Sequence, residues 1–131
     1  MIIPTEDAEQ EQLFLWARYE EHAIPELRWM FAIPNGGLRS KVTAARMKAT
    51  GTRPGVPDIC LPVARGKFHG MYIEMKRQRG GVLSPDQKIW LNALARNGYL
   101  AIRCNGFEEA RREIIKYLKS EEGDLQNEIQ T

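Results

Sequence analysis

Asp58, Glu74 and Lys76 are the side chains whose types and spacing are best suited to chemistry. Asp58 follows Pro57, fifteen residues separate it from Glu74, and only Met75 stands between Glu74 and Lys76. Two carboxylates and an amine brought together could hold a divalent cation against a phosphodiester while water attacks it. Mg²⁺ and Mn²⁺ take hard oxygen ligands, and Mg²⁺ commonly uses one or two carboxylates completed by water and phosphate oxygens. Such an ion makes a nucleophile of water and stabilises the leaving oxygen. Lys76 could position the attacking water or neutralise charge that develops on the phosphate. A Glu-x-Lys triplet alone is common on ordinary hairpins, so the case needs the Gly55-Val56-Pro57-Asp58 entry and the spacing as well.

That spacing has a structural meaning. Ile59 to Val63 is short and apolar, and Met71 to Met75 is apolar with β-favouring Tyr72 and Ile73, so both read as strands. The stretch 64–70 between them is turn-like, with Gly66 near its centre. A short connection makes an antiparallel hairpin, and a centre at Gly66 places 58 opposite 74. Strand side chains alternate, so Glu74 and Lys76 share a face and Met75 points the other way. Directly opposed carboxylates destabilise a sheet; a cation between them removes the conflict.

Pro57-Asp58…Glu74-x-Lys76 resembles the PD-(D/E)XK nuclease signature. The wider pattern is similar to the VRR-NUC branch of that superfamily: Ile33-Pro34-Asn35-Gly36-Gly37, then Gly51…Gly55-Val56-Pro57-Asp58-Ile59, Tyr72-Ile73-Glu74-Met75-Lys76, Leu83-Ser84-Pro85-Asp86-Gln87…Trp90-Leu91, and Gly98-Tyr99. The match runs from about residue 6 to 118. Each motif is weak alone; order and spacing together are specific. The resemblance implies a restriction-endonuclease-like α/β fold with a mixed sheet of about four strands, and metal-dependent cleavage of DNA. Small stand-alone members, of phage and bacterial type, resemble Holliday-junction resolvases and act as homodimers; larger relatives such as the Fanconi-associated nuclease carry the domain at the end of a long chain. This chain looks like the stand-alone type.

The resemblance also implies further site residues. A helix-1 side chain completes the metal centre; Gln10 matches best, with Glu6 and Glu9 as alternatives that periodicity does not separate, because that turn reads as polar all round. The Met75 carbonyl is a further metal ligand by the same resemblance, and Gln87 falls where the family places a Gln near the active site.

Composition agrees with a DNA-binding enzyme. A 131-residue chain with 43% hydrophobic residues is long enough for one domain with a real core. The net charge of +2 conceals an asymmetry: residues 1–27 hold seven acids and one base, residues 120–131 hold four acids and no base, and 28–119 hold eighteen bases and six acids. A basic body suits a phosphate backbone; a solvated basic surface is the plainer explanation. No stretch is long and apolar enough to cross a membrane, and no leader precedes a cleavage site, so the expected compartment is the cytoplasm, of a bacterial host if phage-encoded. Cys60 and Cys104 sit in apolar strand-like runs and read as buried thiols, and two Cys with two distant His give no zinc pattern.

The remaining elements follow from caps and periodicity. Thr5 caps a first helix that buries Leu13, Trp16 and Ala17, with Pro25 beyond its end. Residues 28–33 read as a strand. Ser40 to Thr50 reads as a basic helix with Val42, Ala45 and Ala49 as its apolar stripe. Ser84-Pro85 opens a helix burying Ile89, Trp90, Leu91 and Leu94. Tyr99 to Cys104 reads as a strand, and Phe107 to Leu118 as a last helix with Ala110, Ile114, Ile115 and Leu118 inward. The order is α-β-α-β-β-α-β-α, a single domain over 1–119 with an acidic polar tail over 120–131.

Asn35, Gly36, Gly37, Arg39, Ser40 and Lys41 read as a DNA-contacting element, since glycines admit a phosphate to the backbone and a helix N-terminus favours anions; a simple loop-to-helix connection explains the same glycines. Arg53, Lys67, Arg77 and Arg79 are expected phosphate contacts. His69 reads as a turn residue and His22 as exposed. The expected function is a Mg²⁺- or Mn²⁺-dependent endodeoxyribonuclease acting as a homodimer on branched DNA such as four-way junctions, with Asp58 and Glu74 on the metal. A non-catalytic DNA-binding module of the same fold is the alternative. A small-molecule-binding α/β domain is disfavoured by the basic asymmetry.

Overall fold

The computed structural model of the chain describes residues 2–34 and 40–121. Helix α1 spans Glu6–Glu20, and the Thr5 hydroxyl accepts from the Ala8 N–H at 3.1 Å to satisfy one of its open donors. A 3₁₀ turn over Pro25–Trp29 leads into β1, Phe31–Ala32. Then come α2 (Lys41–Ala49), β2 (Ile59–Leu61), β3 (Met71–Lys76), α3 (Pro85–Arg96), β4 (Leu100–Asn105) and α4 (Phe107–Leu118).

The four strands form one mixed sheet in the order β1-β2-β3-β4. β1–β2 and β2–β3 are antiparallel; β3–β4 is parallel, as a crossover through α3 requires. Ile59 pairs with Ile73 and Leu61 with Met71. Continuing that register by one residue puts Asp58 opposite Glu74, as the hairpin arithmetic expects.

Alternation along β3 divides the molecule. Met71, Ile73 and Met75 join Leu13, Ala17, Ala110, Ile114 and Tyr117 in the core, so α1 and α4 cover that face. Tyr72, Glu74 and Lys76 point to the other face, toward α3. Both cysteines are buried free thiols. Arg65, also buried, ties the hairpin loop to the core's rim through an ion pair with Glu26 at 2.6 Å and a bond from its Nε to the Leu118 carbonyl.

Four expectations need correction. Residues 28–33 are not one strand: Pro25 fixes a helical φ and opens a 3₁₀ turn, which leaves two residues for β1. Helix α2 buries none of its residues, and Val42, expected on its apolar stripe, is 80% exposed. Ile89 on α3 is likewise exposed, because α3 leans on the sheet through half-buried Trp90, Leu91 and Leu94. The first turn of α1, polar in sequence, is not solvated all round: Glu9 is buried. Its neighbours explain why. Helix α4 begins at Gly106, which has no side chain to cap it, and Glu9 Oε1 accepts from the Phe107 N–H at 3.1 Å instead. Glu9 Oε2 accepts from Gln78 Nε2 at 3.0 Å. An acid from one helix thus caps another. The expected loop residues Asn35, Gly36, Gly37 and Arg39, and the tail beyond 121, lie outside the described residues.

Candidate metal and nucleic-acid site

Asp58 stands at the end of a loop that glycine makes possible. Gly55 has φ +88°, and a Cβ there would lie 2.6 Å from the Asp86 backbone. The loop therefore packs directly on the first turn of α3, and carries Asp58 to the start of β2. There Asp58 Oδ2 accepts a hydrogen bond from the Met75 N–H at 2.8 Å, so it is held to the next strand beside Glu74.

Glu74 is 2% exposed. Its Oε2 accepts from Gln87 Nε2 at 3.2 Å, and its Oε1 has no hydrogen-bond partner among the described residues. Gln87 is itself fixed by a capping box: its N–H donates to Ser84 Oγ at 3.1 Å and its Oε1 accepts from the Ser84 N–H at 2.8 Å. The start of α3 thereby aims an amide at Glu74. Burial first, then the Asp58 carboxylate beside it, push the Glu74 carboxyl up to about 9; Lys76 offsets part of this. Lys76 is 5% exposed, and its Nζ lies 3.6 Å from Glu6 Oε1 at the start of α1.

These groups open on a cleft of about 800 Å³ whose lining includes Glu6, Asp7, Lys48, Arg53, Asp58, Glu74 and Gln87. Of the helix-1 candidates, Glu6 lines the cleft, Gln10 does not, and Glu9 is committed to capping α4. The Met75 side chain is in the core, with its N–H on Asp58. Arg53 is on the cleft wall. Ser40 caps α2 by accepting from the Thr43 N–H, with Lys41 beside it in the first turn. Arg77 and Arg79 are exposed just past β3, and Arg77 Nε donates to the Arg79 carbonyl. Lys67 lies in the loop at the opposite end of the hairpin from Asp58, with its Nζ over the Phe68 ring. Sequence reading passed over Asp7 and Lys48 as cleft residues. Lys48 had a signal: it stands two turns from Lys41, on one helix face.

The donor set fits a hard divalent cation. A buried carboxylate oxygen without a donor, beside a second carboxylate, is what an ion would satisfy. Among the described residues no group of three His, Cys, Asp or Glu side chains could hold a metal. No helix among the described residues is long and apolar enough to cross a membrane.

The sequence pattern of the VRR-NUC domain matches residues 5–108. A solved structure described as a VRR_NUC domain protein superimposes with a TM-score of 0.78 at 28% identity, over 93% of this chain and 96% of that one. No curated protein matches the chain.

Proposed function

The chain belongs to the VRR-NUC domain family, a nuclease family, and from that premise we propose that it is a Mg²⁺- or Mn²⁺-dependent DNA endonuclease. The observation that carries the reading is the pair Asp58 and Glu74, fixed side by side at the floor of the cleft with one buried carboxylate oxygen unsatisfied. These two carboxylates and the Met75 carbonyl would hold the ion; an α1 side chain would have to swing in to add a further ligand, since Glu6 lines the cleft but is not grouped with the pair and Gln10 does not line it. A bound divalent ion would supply an activated water and neutralise charge on the phosphate.

The chain's own groups do the rest. Gln87 orients Glu74 by its amide. Lys76, buried and steered by Glu6, presents an ammonium to the attacking water or to a phosphate oxygen. Lys48 and Arg53 on the cleft wall draw the backbone in, and Ser40, Lys41, Arg77 and Arg79 extend the basic surface around it. The loop residues Asn35, Gly36, Gly37 and Arg39 lead into α2 and belong to the same proposed contact.

Branched DNA is the proposed substrate, cut by a two-fold dimer whose sites face paired strands. Val42 on α2 and Ile89 on α3 are exposed apolar side chains that a second copy could cover. The test presents purified protein with four-way-junction, flap, single-stranded and linear duplex DNA in Mg²⁺, Mn²⁺ or EDTA, with sedimentation to read its oligomeric state. Metal-dependent cleavage strongest on the junction supports the proposal. Binding without cleavage in either metal would favour a DNA-binding module that has kept the fold.

A further inference from the structure

Helix α4 carries a charged face that the cleft does not use. Ala110, Ile114 and Tyr117 point into the core. At about 100° per residue, Arg112 and Lys119 fall on the opposite side, flanked by Arg111 and Lys116. Arg111, Arg112, Ile115, Lys116 and Lys119 border one shallow cavity of about 550 Å³. Glu108 pairs with Arg111 at 3.1 Å, whereas Arg112, Lys116 and Lys119 have no ion pair among the described residues. Glu121 follows at the helix end, where its carbonyl accepts from the Gly66 N–H at 2.6 Å. That bond, with Arg65 on the Leu118 carbonyl, holds the hairpin loop against the end of α4. Lys67, which is remote from the cleft and follows Gly66, is thereby carried to the end of the molecule where the stripe finishes.

The stripe faces away from the cleft. Glu74 is on the α3 face of the sheet, α4 covers the other face, and a helix about 10 Å thick plus the sheet lies between them. A straight duplex seated over Asp58 and Glu74 does not reach it. We infer that the outer face of α4, with Lys67, is a second binding surface for DNA backbone, which engages a duplex segment other than the one in the cleft. A row of cations without ion pairs on a rigid helix is suited to phosphates, contacts that position a duplex and carry no sequence information. This inference rests on the DNA-nuclease reading and adds a surface to it: a junction or sharply bent DNA would be gripped at both faces.

Equilibrium binding by fluorescence anisotropy in EDTA tests it, with a short duplex of about ten base pairs, roughly 34 Å long, and a long-armed four-way junction. Two triple variants are compared with the wild type: Arg112→Ala/Lys116→Ala/Lys119→Ala, and the charge-keeping Arg112→Lys/Lys116→Arg/Lys119→Arg. The alanine triple is expected to lose about tenfold in junction affinity and to lower the salt slope by about 2–3. Its binding and metal-dependent cleavage of the short duplex stay unchanged, and the charge-keeping triple behaves as wild type. Wild-type affinity and slope in the alanine triple on the junction would overturn the inference, as would an equal loss on the short duplex, and either result leaves the nuclease reading standing. A wild-type protein that neither binds nor cleaves any of these DNAs would remove the nuclease reading, and the inference with it.

Discussion

The Asp58 carboxylate is hydrogen-bonded to the backbone N–H of Met75 at 2.8 Å, which ties the entry of β2 to the C-terminal end of the strand that carries Glu74 and Lys76. One carboxylate is thus located by the backbone of its partner's strand. Glu74 is held in turn by the Gln87 amide.

Metal loading should release a proton. With its carboxyl raised to about 9, Glu74 is protonated at neutral pH in the metal-free protein, and a bound cation requires the carboxylate. Calorimetric titration of Mn²⁺ at pH 7 in buffers of different ionisation enthalpy should show close to one proton released, and apparent affinity should rise with pH toward 9. Titration without buffer dependence would mean that Glu74 is already ionised.

The same shift has a stability consequence. A carboxyl whose folded pKa lies above its ordinary value near 4.5 stabilises the fold fully below that value. The contribution is lost as pH rises through about 9. Glu74→Gln should therefore flatten the decline in melting temperature of the metal-free protein between those limits, while it weakens Mn²⁺ binding.

Glu9 should matter for folding and little for metal. Glu9→Ala leaves the Phe107 N–H and the Gln78 amide without their acceptor, at a cost of about 1–3 kcal/mol. Urea unfolding should report that loss, with Mn²⁺ affinity close to wild type. A large loss of metal affinity with intact stability would assign Glu9 to the site instead.

Gly55→Ala combines a left-handed backbone with a contact of 2.6 Å against Asp86. Strain of about 1–3 kcal/mol should appear in unfolding experiments, and cleavage should fall further than stability alone explains, because the loop that carries Asp58 has to shift off α3.

The hairpin was legible because its logic is local. A turn centred on Gly66 sets the register, and the register alone brings 58 opposite 74. Lys76 was readable from strand alternation alone; Gln87 was marked by the family resemblance, and the capping box that aims its amide at Glu74 emerged from the structure. Glu9 was not readable, because its burial depends on Gly106, ninety-seven residues later in the chain, lacking a capping side chain. Lys67 looked like a neighbour of the site in sequence but stands at the far end of the hairpin. The α2 stripe failed because three small apolar residues at helical spacing record a helix face without saying what it packs on; here α2 packs on nothing that buries it.

The most direct test is nicking of supercoiled plasmid in Mn²⁺ by the wild type, Asp58→Ala and Lys76→Ala, with EDTA as control. The account predicts metal-dependent nicking by the wild type, a loss of roughly 10²–10³-fold in Lys76→Ala, and no detectable nicking by Asp58→Ala. Metal-dependent nicking at the wild-type rate in both variants would contradict it.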